Sequence, residues 1–172
     1  MKHLRAALAL LALLSSIAHA DVQDTPSERA FSLSAGSPAL VVPRSDWTIS
    51  REQRRPGDTA VYYMLSSANT QMFLSTYIDK SDACRSADDC LREALKNKSY
   101  VDAKEQKTFD LPSFKVASFY LDNPMGTPFK QAHILAAAYV EGVWFDIHIS
   151  KAGTERPDLA PLMELLKSLS IR

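Results

Sequence analysis

Two cysteines and five glycines in 172 residues are too few for a disulfide-dense miniprotein or a collagen-like repeat. Neither charge sign is in excess, with 20 Lys and Arg against 20 Asp and Glu. The chain therefore lacks both the basic stripe that nucleic-acid binding requires and the acidic surplus of a disordered tail. Its nearest basic cluster, Arg51, Arg54 and Arg55, flanks Pro56-Gly57 and reads as a solvated hairpin tip. No run of about 18 apolar residues follows the N-terminal segment, so no membrane span is expected there. No residue pattern names a reaction. What remains is 46% hydrophobic and 9% aromatic content, the composition of one globular domain. A chain of about 150 residues buries about 70% of its unfolded surface and needs no cofactor to be stable.

Lys2, His3 and Arg5 precede the apolar stretch Ala6 to Leu14, then Ser15, Ser16 and Ala18-His19-Ala20. That order of charged, greasy and small residues is a secretory signal with cleavage after Ala20. The apolar run is less than half of the ~20 residues needed to cross a bilayer. No cysteine precedes Cys84, so no thiol near the cleavage site could carry a lipid. Cleavage removes two basic residues and no acidic ones, leaving 18 against 20 and a formal charge of −2. The destination is the periplasm or the exterior of a bacterium.

Asp21 to Ala30 is polar and reads as a flexible leader, so the domain is expected over 31–172. Extended segments follow at Leu40 to Val42, Trp47 to Arg51, Thr59 to Leu65 and Gln71 to Ile78, separated by turn-rich stretches. The third of these is apolar on both faces and is expected at the centre of a sheet. Ser86-Ala87-Asp88-Asp89 has capping-box spacing. Ala87, Cys90, Leu91, Ala94 and Leu95 then form a helical stripe to set against the sheet. A second group of strands spans Val101 to Phe109, Ser113 to Leu121, Lys130 to Val140 and Val143 to Ser150. Pro157 to Pro161 opens a closing helix that buries Leu159, Leu162, Met163, Leu166 and Leu169. The fold class is α+β: a mostly antiparallel sheet of about seven to eight strands with a mid-chain and a C-terminal helix packed on it.

An early apolar strand ending at Pro43 before Trp47, a meander, a helix, a second meander and the Leu-rich close Leu166-Lys167-Ser168-Leu169 resemble the Mog1/PsbP-like group of small α+β domains. The resemblance lies in element order and implies an accessory or binding role. It transfers no site residue.

Cys84 and Cys90 are six apart, and an exported chain meets conditions in which disulfides persist. With Ser86 as N-cap, the pair brackets the helix entry much as a hydrophobic staple does, and a disulfide there would fasten it. The short loop limits the gain to about 2 kcal/mol. Five intervening residues are not the redox-active Cys-x-x-Cys spacing, and two thiols without a nearby histidine do not complete a zinc site.

The last hairpin is the richest stretch chemically. Along Val143 to Lys151, Val143, Phe145, Ile147 and Ile149 share one face and Trp144, Asp146, His148 and Ser150 the other. Register decides what they meet. Glu141 is a poor residue for a type I′ turn, which favours a three-residue bulged loop. Hydrophobic segregation instead favours the two-residue link, with Val140 opposite Val143, His133 opposite Ser150 and Leu135 opposite His148. Segregation involves the whole ladder and is taken as decisive. His133 and His148, the two histidines left after cleavage, then sit with Asp146 and Ser150, diagonal neighbours being about 7–8 Å apart.

Two imidazoles and a carboxylate could bind zinc and activate water, making a metal-dependent hydrolase the alternative function. Ser150 assisted by His133 is a further conceivable nucleophile, but a regular strand offers neither a strained elbow nor an oxyanion hole. The simplest reading of the alternation is a half-solvated sheet face. The irregular connection Asp122 to Pro128 presents Met125 where water is expected, and Met125, Trp144 and Tyr139 are candidate partner contacts. Tyr62, Tyr63, Tyr77 and Tyr139 otherwise read as core and sheet residues, and Asp88 and Asp89 as helix-start carboxylates. The leading expectation is a non-catalytic, exported envelope protein that binds another envelope protein or a small ligand.

Overall fold

Period-two alternation gives this chain its strands. The computed structural model describes residues 22–57, 59–80 and 82–172. Its strands are β1 (Val22–Asp24), β2 (Glu28–Ser32), β3 (Ala39–Pro43), β4 (Trp47–Arg54), β5 (Ala60–Ser67), β6 (Met72–Asp79), β7 (Lys104–Leu111), β8 (Phe114–Asp122), β9 (Lys130–Val140), β10 (Val143–Gly153) and β11 (Ser170–Ile171). The helices are α1 (Ala87–Leu95), between β6 and β7, and α2 (Ala160–Ser168), after β10. The expected signal peptide lies outside the described residues. Among the described residues no helix is long and apolar enough to cross a membrane.

All pairings are antiparallel, in a four-stranded sheet ordered β1-β2-β3-β11 and a seven-stranded sheet ordered β4-β5-β6-β10-β9-β8-β7. The α+β class is as expected, but the strands exceed seven to eight and form two sheets. The residues read as a flexible leader supply β1 and part of β2, and the last residues supply β11. Ladder hydrogen bonds come from the backbone, so polar side chains did not prevent pairing there. Phe31 of β2, fully buried and opposite Val22 of β1, anchors that edge in the core.

One face of the large sheet is the main core. Phe145, Ile147 and Ile149 of β10 join Ile134 and Ala136 of β9, Leu74 of β6 and Tyr63 of β5. Phe31, Leu40 and Val42 of the small sheet cover them, together with Leu162, Leu166 and Leu169 from α2 and its end. The expected central strand, β5, is in fact next to the edge, and β10 is central. Tyr62 and Met64 of β5, read as a second buried face, are only partly buried on the opposite side of the sheet. The topology places β10 where the two meanders meet, so its polar face lies at the middle of the sheet.

That polar face is not open. The connection from β6 to β7 crosses it, carrying α1. The Ser86 hydroxyl accepts from the Asp89 backbone N–H at 3.1 Å, as the capping spacing predicts. The reciprocal half of the box is replaced by an Asp89–Arg92 ion pair, the aspartate being too short to reach back. A disulfide joins Cys84 and Cys90, with Cα atoms 5.1 Å apart. Cys90 and Leu91 press on Ala117, Phe119, Leu135 and Ala137, forming a second, smaller core. The small Ala117 and Ala137 side chains let the helix sit close over β8 and β9.

Candidate functional site

The β9–β10 hairpin takes the two-residue link. Val143 pairs with Val140, His148 with Leu135 and Ser150 with His133. Glu141 and Gly142 both adopt positive φ, 51° and 77°, so the turn accepts an unfavourable glutamate for the sake of the ladder.

This register brings the histidines into contact. His133 Nδ1 lies 2.8 Å from His148 Nε2, with ring planes 11° apart. Phe119, opposite His133 on β8, continues the stack at 5.0 Å, and Tyr100 packs against Phe119 at 4.9 Å. The second nitrogen, His133 Nε2, is 3.0 Å from Gln131 Oε1. That oxygen only accepts, so His133 Nε2–H donates to it, and His148 Nε2–H donates to His133 Nδ1. The lone pair on His148 Nδ1 is left uncommitted among the described residues. Burial, then the neighbouring His148, pulls His133 down to about 3. Burial alone pulls His148 down to about 4. Both rings are therefore neutral at neutral pH.

The expected zinc set is divided by this arrangement. His133 and His148 spend their facing nitrogens on each other, and Asp146 does not join them. Among the described residues no group of three His, Cys, Asp or Glu side chains is placed to hold a metal ion. Ser150 pairs with His133 across the ladder, but no hydrogen bond links their side chains.

Asp146 instead faces a cavity of about 580 Å³. Tyr62, Ser75, Trp144, Asp146 and His148 line it from the sheet. Glu93, Lys96, Asn97 and Tyr100 close it from the end of α1 and the 3-10 turn Lys98–Tyr100 that follows. Glu93 and Lys96 form an ion pair with each other. Asp146 has no hydrogen-bond or ion-pair partner among the described residues, and burial pushes its carboxyl up to about 6. The Tyr100 phenol is pushed up to about 12 by burial first, then by Asp146 and Tyr62. Trp144 packs edge-on against Tyr77 at 5.3 Å, and its indole N–H is buried without an acceptor.

A second cavity, of about 440 Å³, lies between the same 3-10 turn and the Asp122 to Pro128 connection. Asn97, Tyr100 and His148 border both cavities, so Tyr100 divides one groove into two chambers. Met125 stands at the second chamber, 97% exposed and with φ at +54°. Tyr139, paired with Trp144, is exposed on the sheet. The candidate partner contacts are thus spread out: Trp144 in the first chamber, Met125 at the second, and Tyr139 outside both.

Tyr62 and Tyr100 are the site residues that sequence reasoning missed. Tyr62 was read as part of a buried strand, and Tyr100 lies beyond the helix stripe. The pairing of a helix stripe with the small residues Ala117 and Ala137 was the available signal that α1 covers this face. No known protein family matches the chain, and no curated protein matches it.

Proposed function

We propose that this is an exported bacterial envelope protein that acts by binding a small ligand in the groove beneath α1, without catalysing its conversion. The observation that carries the reading is polar capacity left unused around a preformed cavity: among the described residues the Asp146 carboxylate has no hydrogen-bond or ion-pair partner, and the Trp144 indole N–H is buried without an acceptor. Such groups cost stability unless something satisfies them. A cavity of this size with a few polar groups among aromatics suits a small molecule. Binding is favoured over metal-dependent hydrolysis because the two histidines spend their facing nitrogens on each other and, among the described residues, do not converge with Asp146 on a metal position. The likeness in element order to Mog1/PsbP-like domains agrees with an accessory role, and the disulfide agrees with export.

The test is addition of the low-molecular-mass fraction of an envelope extract to the purified protein, read by thermal melting and by the Trp144 indole resonance. Stabilisation accompanied by movement of that resonance is expected in the wild-type protein, with the stabilisation lost in Trp144→Ala. Stabilisation undiminished in that variant would overturn the assignment of the groove.

A further inference from the structure

The charge and hydrogen-bonding inventory of the first chamber specifies its occupant, an inference that rests on the groove being the binding site. Of the charged groups lining it, Glu93 and Lys96 neutralise each other. From the neighbouring strands come Tyr62, Ser75 and Trp144, none of them cationic, and Tyr100 closes the chamber from the 3-10 turn. The nearby Asp79 is already paired with Arg55 at 3.6 Å. One formal negative charge, on Asp146, is therefore left over, enclosed by aromatic side chains.

Among the described residues nothing donates to the two oxygens of Asp146 or to the Nδ1 lone pair of His148. We infer that the chamber formed by Asp146, His148, Tyr62, Tyr100 and Trp144 binds the primary ammonium group of a small organic amine. Such a group carries three N–H donors, matching acceptors to which no described residue donates. The aromatic faces favour an organic cation over a neutral isostere. A quaternary ammonium would satisfy the charge but donate no hydrogen bond.

The probes are butylamine, tetramethylammonium and butanol, titrated at pH 8 against wild-type protein and Asp146→Asn, following the Trp144 indole resonance. Butylamine should saturate the wild-type protein, with tetramethylammonium and butanol each at least tenfold weaker. Loss of a hydrogen-bonded charge should weaken butylamine at least tenfold in Asp146→Asn. Urea melting of that variant at pH 8 verifies that it is folded. Equal binding of butanol, equal binding of tetramethylammonium, or no butylamine binding would each overturn the inference. So would unchanged butylamine affinity in Asp146→Asn. An extract component that moves the Trp144 resonance equally in wild-type and Asp146→Asn protein would leave the groove as a binding site and remove only its preference for amines.

Discussion

Ionised Asp146 should be a burden on the unliganded fold, and Asp146→Asn should lift it. Burial raises this carboxyl from 3.8 to about 6, and no cation opposes the shift. At about 1.4 kcal/mol for each tenfold change in the ionisation equilibrium, the full cost at pH 8 is about 3 kcal/mol. Asp146 borders a cavity that water can enter, so about 1.5–3 kcal/mol is the expected gain on substitution. For a domain of this size that corresponds to roughly 3–12 °C in melting temperature. The sign follows from linkage. A carboxyl raised in the folded state favours folding fully below pH 3.8, and that contribution disappears as the pH rises through about 6. Urea and thermal melts of wild-type and Asp146→Asn protein at pH 4, 6 and 8 should show a stabilisation that grows with pH, below about 1 kcal/mol at pH 4. An equal increment at all three values, or destabilisation at pH 8, would refute the reasoning.

The histidines should act in the opposite direction. Both are lowered by burial, so their contribution is complete above pH 6.5 and is lost as the pH falls toward about 4 and about 3. A His133→Gln, His148→Gln double variant should flatten the acid limb of the urea-stability profile by up to about 1.4 kcal/mol per pH unit for each ring. An unchanged slope would contradict the burial assignment. A Cys84→Ser, Cys90→Ser double variant should lose about 2 kcal/mol, and unfolded wild-type protein without reductant should yield no free thiol on titration. Glu141→Asn, at φ 51°, should gain about 0.5–1 kcal/mol in chemical denaturation, because asparagine tolerates the left-handed region better. A loss there would mean that the glutamate side chain makes a compensating contribution.

Much of the architecture was legible because hydrophobic periodicity is local. The strands from Ala39 to Gly153 and both helices follow from runs whose apolar spacing is readable within a dozen residues. The β9–β10 register was legible for a related reason, since one slip would have moved every apolar side chain of the ladder to the wrong face. Beyond such runs the reading failed. β1 and β11 are too short to show a period, and they pair because β2 and β3 present backbone groups to them.

For the site, the sequence by itself placed His133, Trp144, Asp146 and His148 on one face of one hairpin, because segregation of the apolar ladder outweighs the turn preference of Glu141. It also determined the capped helix and the disulfide at its entry. Only the tertiary structure decided that this face is covered by α1, that the two imidazoles hydrogen-bond each other, and that Asp146 is left alone beside Tyr62 and Tyr100. The reason is one of range: alternation assigns a residue to a face, whereas the path of the β6–β7 connection across the sheet assigns that face its neighbours.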